Sequence, residues 1–316
     1  MKTQRRMVTT LATLLCGLAV FTSGVPAFAA PGIGIEAAKL PAQARTALHL
    51  DIAKARVSDP GAFREVRDIV THAREADRKA RGRKAPTSLK LSGLGTKALL
   101  PMLELVAFDA PQLTANETAA DRASVNRDVL EAIGLLKDAR AMPVLVTALA
   151  RESDFDTTRT AAEAIGRLET DDAANALVGA LAKSSGERAT AILSGMGSCH
   201  RTVVARALAD RLATRQDDNT ARHVVKALGH VGNAWAWKTL SARGDEAASR
   251  ETAARALVSA FVQYNGEVRE AAAKALLVVD DSHTNALIEA ARRGAAGDTA
   301  LALDELANRV AQNPTH

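Results

Sequence analysis

Residues 159–181 read RTAAEAIGRLETDDAANALVGAL, and this stretch decides the fold. Ala161, Ala162, Ala164 and Ile165 recur at helical spacing, Gly166 closes the run, and after a short polar turn a second apolar helix is expected over 173–181. The pattern returns along the chain. Ala132-Ile133-Gly134, Ala164-Ile165-Gly166, Gly195-Met196-Gly197 and Ala227-Leu228-Gly229 align, so that each motif ends on a glycine at a near-constant period. The second helices are expected over 142–149, 173–181, 203–212 and 234–240. Each glycine suits a left-handed residue that stops the first helix, and the alanines suit close approach of neighbouring helices.

One such hairpin cannot bury its apolar face alone, whereas stacked hairpins can. Period-2 alternation is nearly absent, so strands are not expected. The reading is all-α: an α-α superhelix, or α-solenoid, of about five to six helical hairpins behind an N-terminal helical region. The expected boundaries are a leader at 1–29, a linker at 30–40, a helical region with a basic segment at 41–95, and the solenoid at 96–316.

Val268-Arg269-Glu270-Ala271-Ala272-Ala273-Lys274-Ala275-Leu276 resembles the first helix of a HEAT-like repeat, of the short kind first named for phycobilisome lyases. Residues 159–181 are similar to the whole unit, and the resemblance runs from Ser124 to about Ala291. It implies the helical stack. Its shared positions are packing positions, so it carries no catalytic residue across. The register breaks once: Ala256-Leu257 follows Ala227-Leu228 by nearly a full period, but Ala275-Leu276 comes too soon after it for a whole hairpin. Residues 249–261 are therefore expected to be an extra helix, or a repeat whose partner helix is displaced. Residues 298–310, with Asp304, Glu305 and Arg309 on a wetter face, are expected to close the stack.

Before the repeats, 41–56 and 60–81 read as helices, the second with Asp59 as N-cap and an apolar stripe through Phe63, Val66, Ile69 and Val70. Residues 31–36 read as an unordered linker, 88–95 as a loop, and 96–108 as the helix that begins the stack. Met1–Arg6 is a basic n-region, 7–21 an apolar run too short to span a bilayer, and Ala27-Phe28-Ala29 a cleavage box. Cleavage near Ala29 and export to the periplasm or beyond are expected. That would remove Cys16 and leave Cys199 as a lone thiol.

Of 316 residues, 41 are Lys or Arg and 36 Asp or Glu; without Lys2, Arg5 and Arg6 the balance falls to +2. With aromatics at 3%, this argues against nucleic acid and against an aromatic-lined pocket. Membrane association would be peripheral at most, and a monomer is expected. The positive charge concentrates at 54–90, with 11 basic and 5 acidic residues. Arg78, Lys79, Arg81, Arg83 and Lys84 there are either helix-end cations beside a solvated loop or a contact for an acidic partner.

No nucleophile elbow, H-E-x-x-H or Walker loop is present. The best chemical constellation is Ser198, Cys199 and His200 with His230 one repeat later. A thiolate and two imidazoles suit Zn²⁺, and a Cys-His pair suits nucleophile and base. No carboxylate at a matching position is evident to orient a base, so turn residues and a core thiol are the favoured reading, with no catalytic residue, cofactor or metal assigned. Of Trp235 and Trp237, one is expected inside and the other exposed. The function expected is an exported, non-enzymatic scaffold for a protein or peptide, contacted through Arg167, His230 and Trp235. The alternatives are an enzyme or accessory resembling phycobilin lyases, and a binder of envelope polyanion through the basic segment.

Overall fold

The computed structural model describes residues 32–80, 87–109, 118–151 and 153–313, and their side chains apart from those of 74–80. The N-terminal region holds α1 (Ala42–Ser58) and α2 (Pro60–Ala80). Paired helices follow: α3 (Thr87–Gly93) with α4 (Leu99–Ala107), α5 (Ala119–Leu136) with α6 (Met142–Ala150), α7 (Phe155–Gly166) with α8 (Asp171–Ala182), and α9 (Gly186–Met196) with α10 (Thr202–Ala213). Then come α11 (Asp218–Val231), the short α12 (Ala234–Thr239), α13 (Glu246–Gln263), α14 (Gly266–Val279), α15 (Thr284–Arg293) and α16 (Gly297–Ala311). No strand occurs among the described residues.

The helices form two layers. In the first, α3, α5, α7, α9, α11 and α14 pack in that order; in the second, α4, α6, α8, α10, α13 and α15 do so. The chain is an all-α solenoid of six hairpins among the described residues, closed by α16 against α15 and α14. Caps start the helices where the sequence puts short polar residues. Thr118 and Asp121 form a capping box on α5, while Asp154, Thr170 and Asp217 accept from Thr157, Ala173 and Thr220 at 2.9, 3.1 and 3.0 Å. Arginines from later repeats serve the opposite ends: Arg269 donates to the carbonyls of Phe261 and Tyr264 at the end of α13.

Four local expectations need correction. The repeat glycines are not left-handed; that conformation belongs to Lys137, Glu169 and Asp280, at the turns that follow the first helices. The glycines are needed for contact. A Cβ on Gly134 would stand 2.6 Å from Ala164 Cα, and one on Gly195, two residues before the repeat glycine of that unit, would stand 2.7 Å from the Arg159 carbonyl oxygen. Such distances let first-layer helices touch backbone to backbone.

The register break is an insertion. The partner of α11 in the second layer is α13, packed between α10 and α15, whereas residues 234–240 hold only α12, a turn added inside the repeat. Length explains the choice. So short a helix cannot cover the faces of α10 and α15, while α13 buries Leu257, Val258 and Phe261 there.

Residues 88–95 are not a loop, because α3 packs on α5 with Leu91 fully buried, so the stack begins before residue 96. Residues 32–40 are not a free linker either. The amides of Ile33 and Ile35 donate to the Leu105 and Val106 carbonyls at the end of α4, each at 2.9 Å, and Ile33, Ile35 and Leu40 are buried. The strap pairs carbonyls that the helix end leaves open, and its isoleucines bury apolar surface. Asp59 caps α2 as expected, donor Ala62 N at 3.0 Å.

Candidate functional site

Four of the six first-layer helices show solvent a triplet spaced i, i+4, i+8 that ends one residue past the repeat glycine or its equivalent: Arg127, Glu131, Leu135 on α5; Arg159, Glu163, Arg167 from α7; Arg222, Lys226, His230 on α11; Glu270, Lys274, Val278 on α14. Such spacing puts three side chains on one helix face. Because the glycines draw these helices together, these residues, apart from Arg127 and Glu131, line a groove. One depression of about 550 Å³ spans α5, α7, α9 and α11 with α12 as a wall, and a second of about 830 Å³ lies between α11 and α14. They share Lys226, His230 and Asn233, and so are continuous.

Ion pairs order the side chains that line the groove. Arg159 pairs with Glu163 at 2.5 Å, and Arg222 pairs with Glu267. Arg167 reaches Glu163 and Glu131 only at 3.8 and 3.9 Å, beyond hydrogen-bond range, and its Nη1 is buried without a partner. The α12 wall is fixed by Trp237, fully buried, whose indole N–H donates to the Val231 carbonyl at 2.8 Å and whose ring meets His200 edge-on at 5.4 Å.

His200 has an orienting carboxylate after all. Its Nδ1 lies 2.6 Å from Glu169 Oε1, and its amide donates to Glu169 Oε2 at 2.9 Å. Glu169 holds in its repeat the position that His200 holds in the next, three residues past the glycine, with a left-handed φ of 55°. The signal was legible as a column of turn residues, Lys137, Glu169 and His200, one per repeat. A second pair lies beside it: Ser194 Oγ is 2.7 Å from His223 Nδ1, joining α9 to α11, and Phe155 packs on the imidazole with centroids 5.5 Å apart. No carboxylate bonds His223 among the described residues, so the pair lacks the third group of a catalytic triad.

His200 and His230 come together along the groove, but Cys199 does not join them. It is fully buried in the turn against Gly166, and burial pushes its thiol up to about 12. Among the described residues no group of three His, Cys, Asp or Glu is placed to hold a metal. Arg167 and His230 line the groove, whereas Trp235 is 59% exposed off it, with Lys238 Nζ 4.2 Å from its ring centroid. Arg78 and Lys79 fall where side chains are not described, and Arg81, Arg83 and Lys84 lie outside the described residues.

Partial desolvation in the groove holds the His223 and His230 imidazoles below the ordinary histidine range, although His230 keeps solvent access, with Lys226 adding repulsion to both. The unfolded chain therefore binds more protons as pH falls through about 6.5. The resulting stability is fully present above that value and is lost below it, as pH approaches the lower folded-state values. Urea midpoints measured from pH 7.5 to 5 should fall, and the His223→Gln/His230→Gln variant should show a shallower fall. Equal slopes would rule these two groups out as the source.

These features define a class: a helical-repeat solenoid whose first-helix layer carries a continuous groove edged by charged side chains. Residues 111–197 match the HEAT repeats family, and the chain is a HEAT-like repeat protein. Seven chains of solved structures match it. One belongs to the complex of CpcE and CpcF of phycocyanin lyase from Nostoc sp., at 18% identity and a TM-score of 0.32, covering 64% of this chain and 96% of that one. No curated protein matches.

Proposed function

We propose that this protein is an exported, non-enzymatic HEAT-like scaffold that binds an extended segment of a partner protein along the first-helix layer. The groove carries this reading: a preformed channel across successive helices, whose exposed triplets differ from repeat to repeat over a floor of glycine and alanine. Export rests on the basic, apolar and A-x-A pattern of residues 1–29. The non-enzymatic part of the reading rests on the buried Cys199 thiol and on a Ser194–His223 pair with no carboxylate bonded to the imidazole among the described residues.

The test uses the purified protein as bait against envelope and culture fluid, followed by hydrogen exchange of the complex with the captured protein. Protection on α5, α7, α9, α11 and α14 is expected. Protection confined to the second layer, or to residues 60–93, would overturn the reading. A bound pigment seen by absorbance would instead favour the lyase-like alternative.

A further inference from the structure

The charges of this groove are unevenly matched. Its four carboxylates all have cationic or imidazole partners: Glu163 with Arg159, Glu169 with His200, Glu267 with Arg222, and Glu270 with Arg309 at 3.1 Å and Lys274 at 3.6 Å. Lys137 and Lys226 are exposed and form no ion pair within the described residues, and Arg167 has only its two long contacts. Two cations therefore face the groove with no carboxylate partner among the described residues, and Arg167 meets its two carboxylates only beyond hydrogen-bond range.

They are also spread along it. With α7 and α9 between them, α5 and α11 are three helix spacings apart, so Lys137 and Lys226 stand roughly 25 Å from each other, the reach of about seven or eight extended residues. Arg167 lies between, on the end of α7. Gly197 and Ser198 leave the middle of the floor open to a main chain.

Resting on the scaffold reading above, we propose that the groove takes an extended acidic peptide segment, with carboxylates near its two ends paired to Lys137 and Lys226 and one between them paired to Arg167. Charge complementarity selects the occupant: a basic or neutral segment would leave these cations unmatched and gain nothing from their spacing. The basic segment at 54–90 is a competing anion contact, and the experiment separates the two.

Fluorescein-labelled octaglutamate is titrated with the purified full chain and followed by anisotropy, with octaglutamine as the neutral probe. Octaglutamate should bind more tightly than octaglutamine by about tenfold or more, and more weakly when ionic strength rises from about 0.01 M to about 0.15 M, which shortens screening from about 30 Å to about 8 Å. Lys137→Glu/Lys226→Glu, both exposed positions, should leave the circular dichroism unchanged and weaken octaglutamate by about tenfold or more. Reversal of Arg78, Lys79, Arg81, Arg83 and Lys84 should leave binding within about twofold, since the cations assigned to the peptide are Lys137, Arg167 and Lys226. Equal binding by wild type and Lys137→Glu/Lys226→Glu, loss only with the five-residue reversal, or no binding of octaglutamate would each overturn the proposal. A captured protein that protects the first layer while octaglutamate fails to bind would overturn the acidic ligand and leave the scaffold standing. Octaglutamate bound through Lys137 and Lys226, with a captured partner protecting only the second layer, would do the reverse.

Discussion

Replacing Trp237 with alanine is expected to destabilise the protein by about 3–5 kcal/mol, the cost of emptying a fully buried tryptophan site. The site cannot simply collapse. The ring is held at its N–H by the Val231 carbonyl and packs against His200, and its backbone amide donates to the Asn233 carbonyl at 3.1 Å. Removing the indole leaves the Val231 carbonyl short of a donor and frees the α12 wall. Trp235 supplies the control. It is 59% exposed and meets Lys238 in a cation–π contact, so Trp235→Ala should cost no more than about 1 kcal/mol. The measurement is urea unfolding followed by circular dichroism. Because the chain has two tryptophans, Trp235→Ala also isolates Trp237, whose emission should be blue-shifted and should move red with the loss of α12 docking. Equal unfolding midpoints for the two alanine variants would show that Trp237 does not anchor α12.

The second large effect tests the glycine contacts. Gly195→Ala is expected to destabilise by about 2 kcal/mol, although alanine is the better helix former by about 0.5–1 kcal/mol. The new Cβ would fall 2.5 Å from Ala162 Cβ, 2.7 Å from the Arg159 carbonyl oxygen and 2.9 Å from the Glu163 amide nitrogen, so α7 and α9 would have to separate. Gly134→Ala should behave alike, meeting Ala164 Cα at 2.6 Å. Gly179, inside α8, has nothing within 4 Å of its added Cβ. There propensity acts without a clash, and Gly179→Ala should stabilise by about 0.4–1 kcal/mol. Thermal unfolding of the three variants decides the matter through the sign of the change. If Gly195→Ala and Gly179→Ala both stabilise, close packing of the first layer is not what these glycines serve.

The two effects meet at the groove. Glycine contacts bring the triplets of α7, α9 and α11 side by side, and Trp237 holds the wall that bounds them. A variant that separates α7 from α9 should therefore lose ligand binding before it loses helicity.

The sequence by itself determined the helices, their caps and the period of the stack. Alanine at i, i+3 and i+4, a glycine once in each repeat, and Asp or Thr at the caps act within one helix or between adjacent ones, where a local pattern suffices. It also placed Arg167 and His230 on the surface that became the groove. The tertiary structure alone decided the rest. Whether α12 or α13 partners α11 depended on how much apolar face each could cover against α10 and α15. Whether residues 32–40 were ordered depended on the open carbonyls at the end of α4, which are distant along the chain. Cys199 and His200 are neighbours in sequence, yet one went into the core and the other to Glu169 in the preceding repeat. Helix period is a property of contacts between positions i, i+3 and i+4. Contacts between repeats join positions a whole hairpin or more apart, and only the packed stack shows which of the available partners each side chain meets.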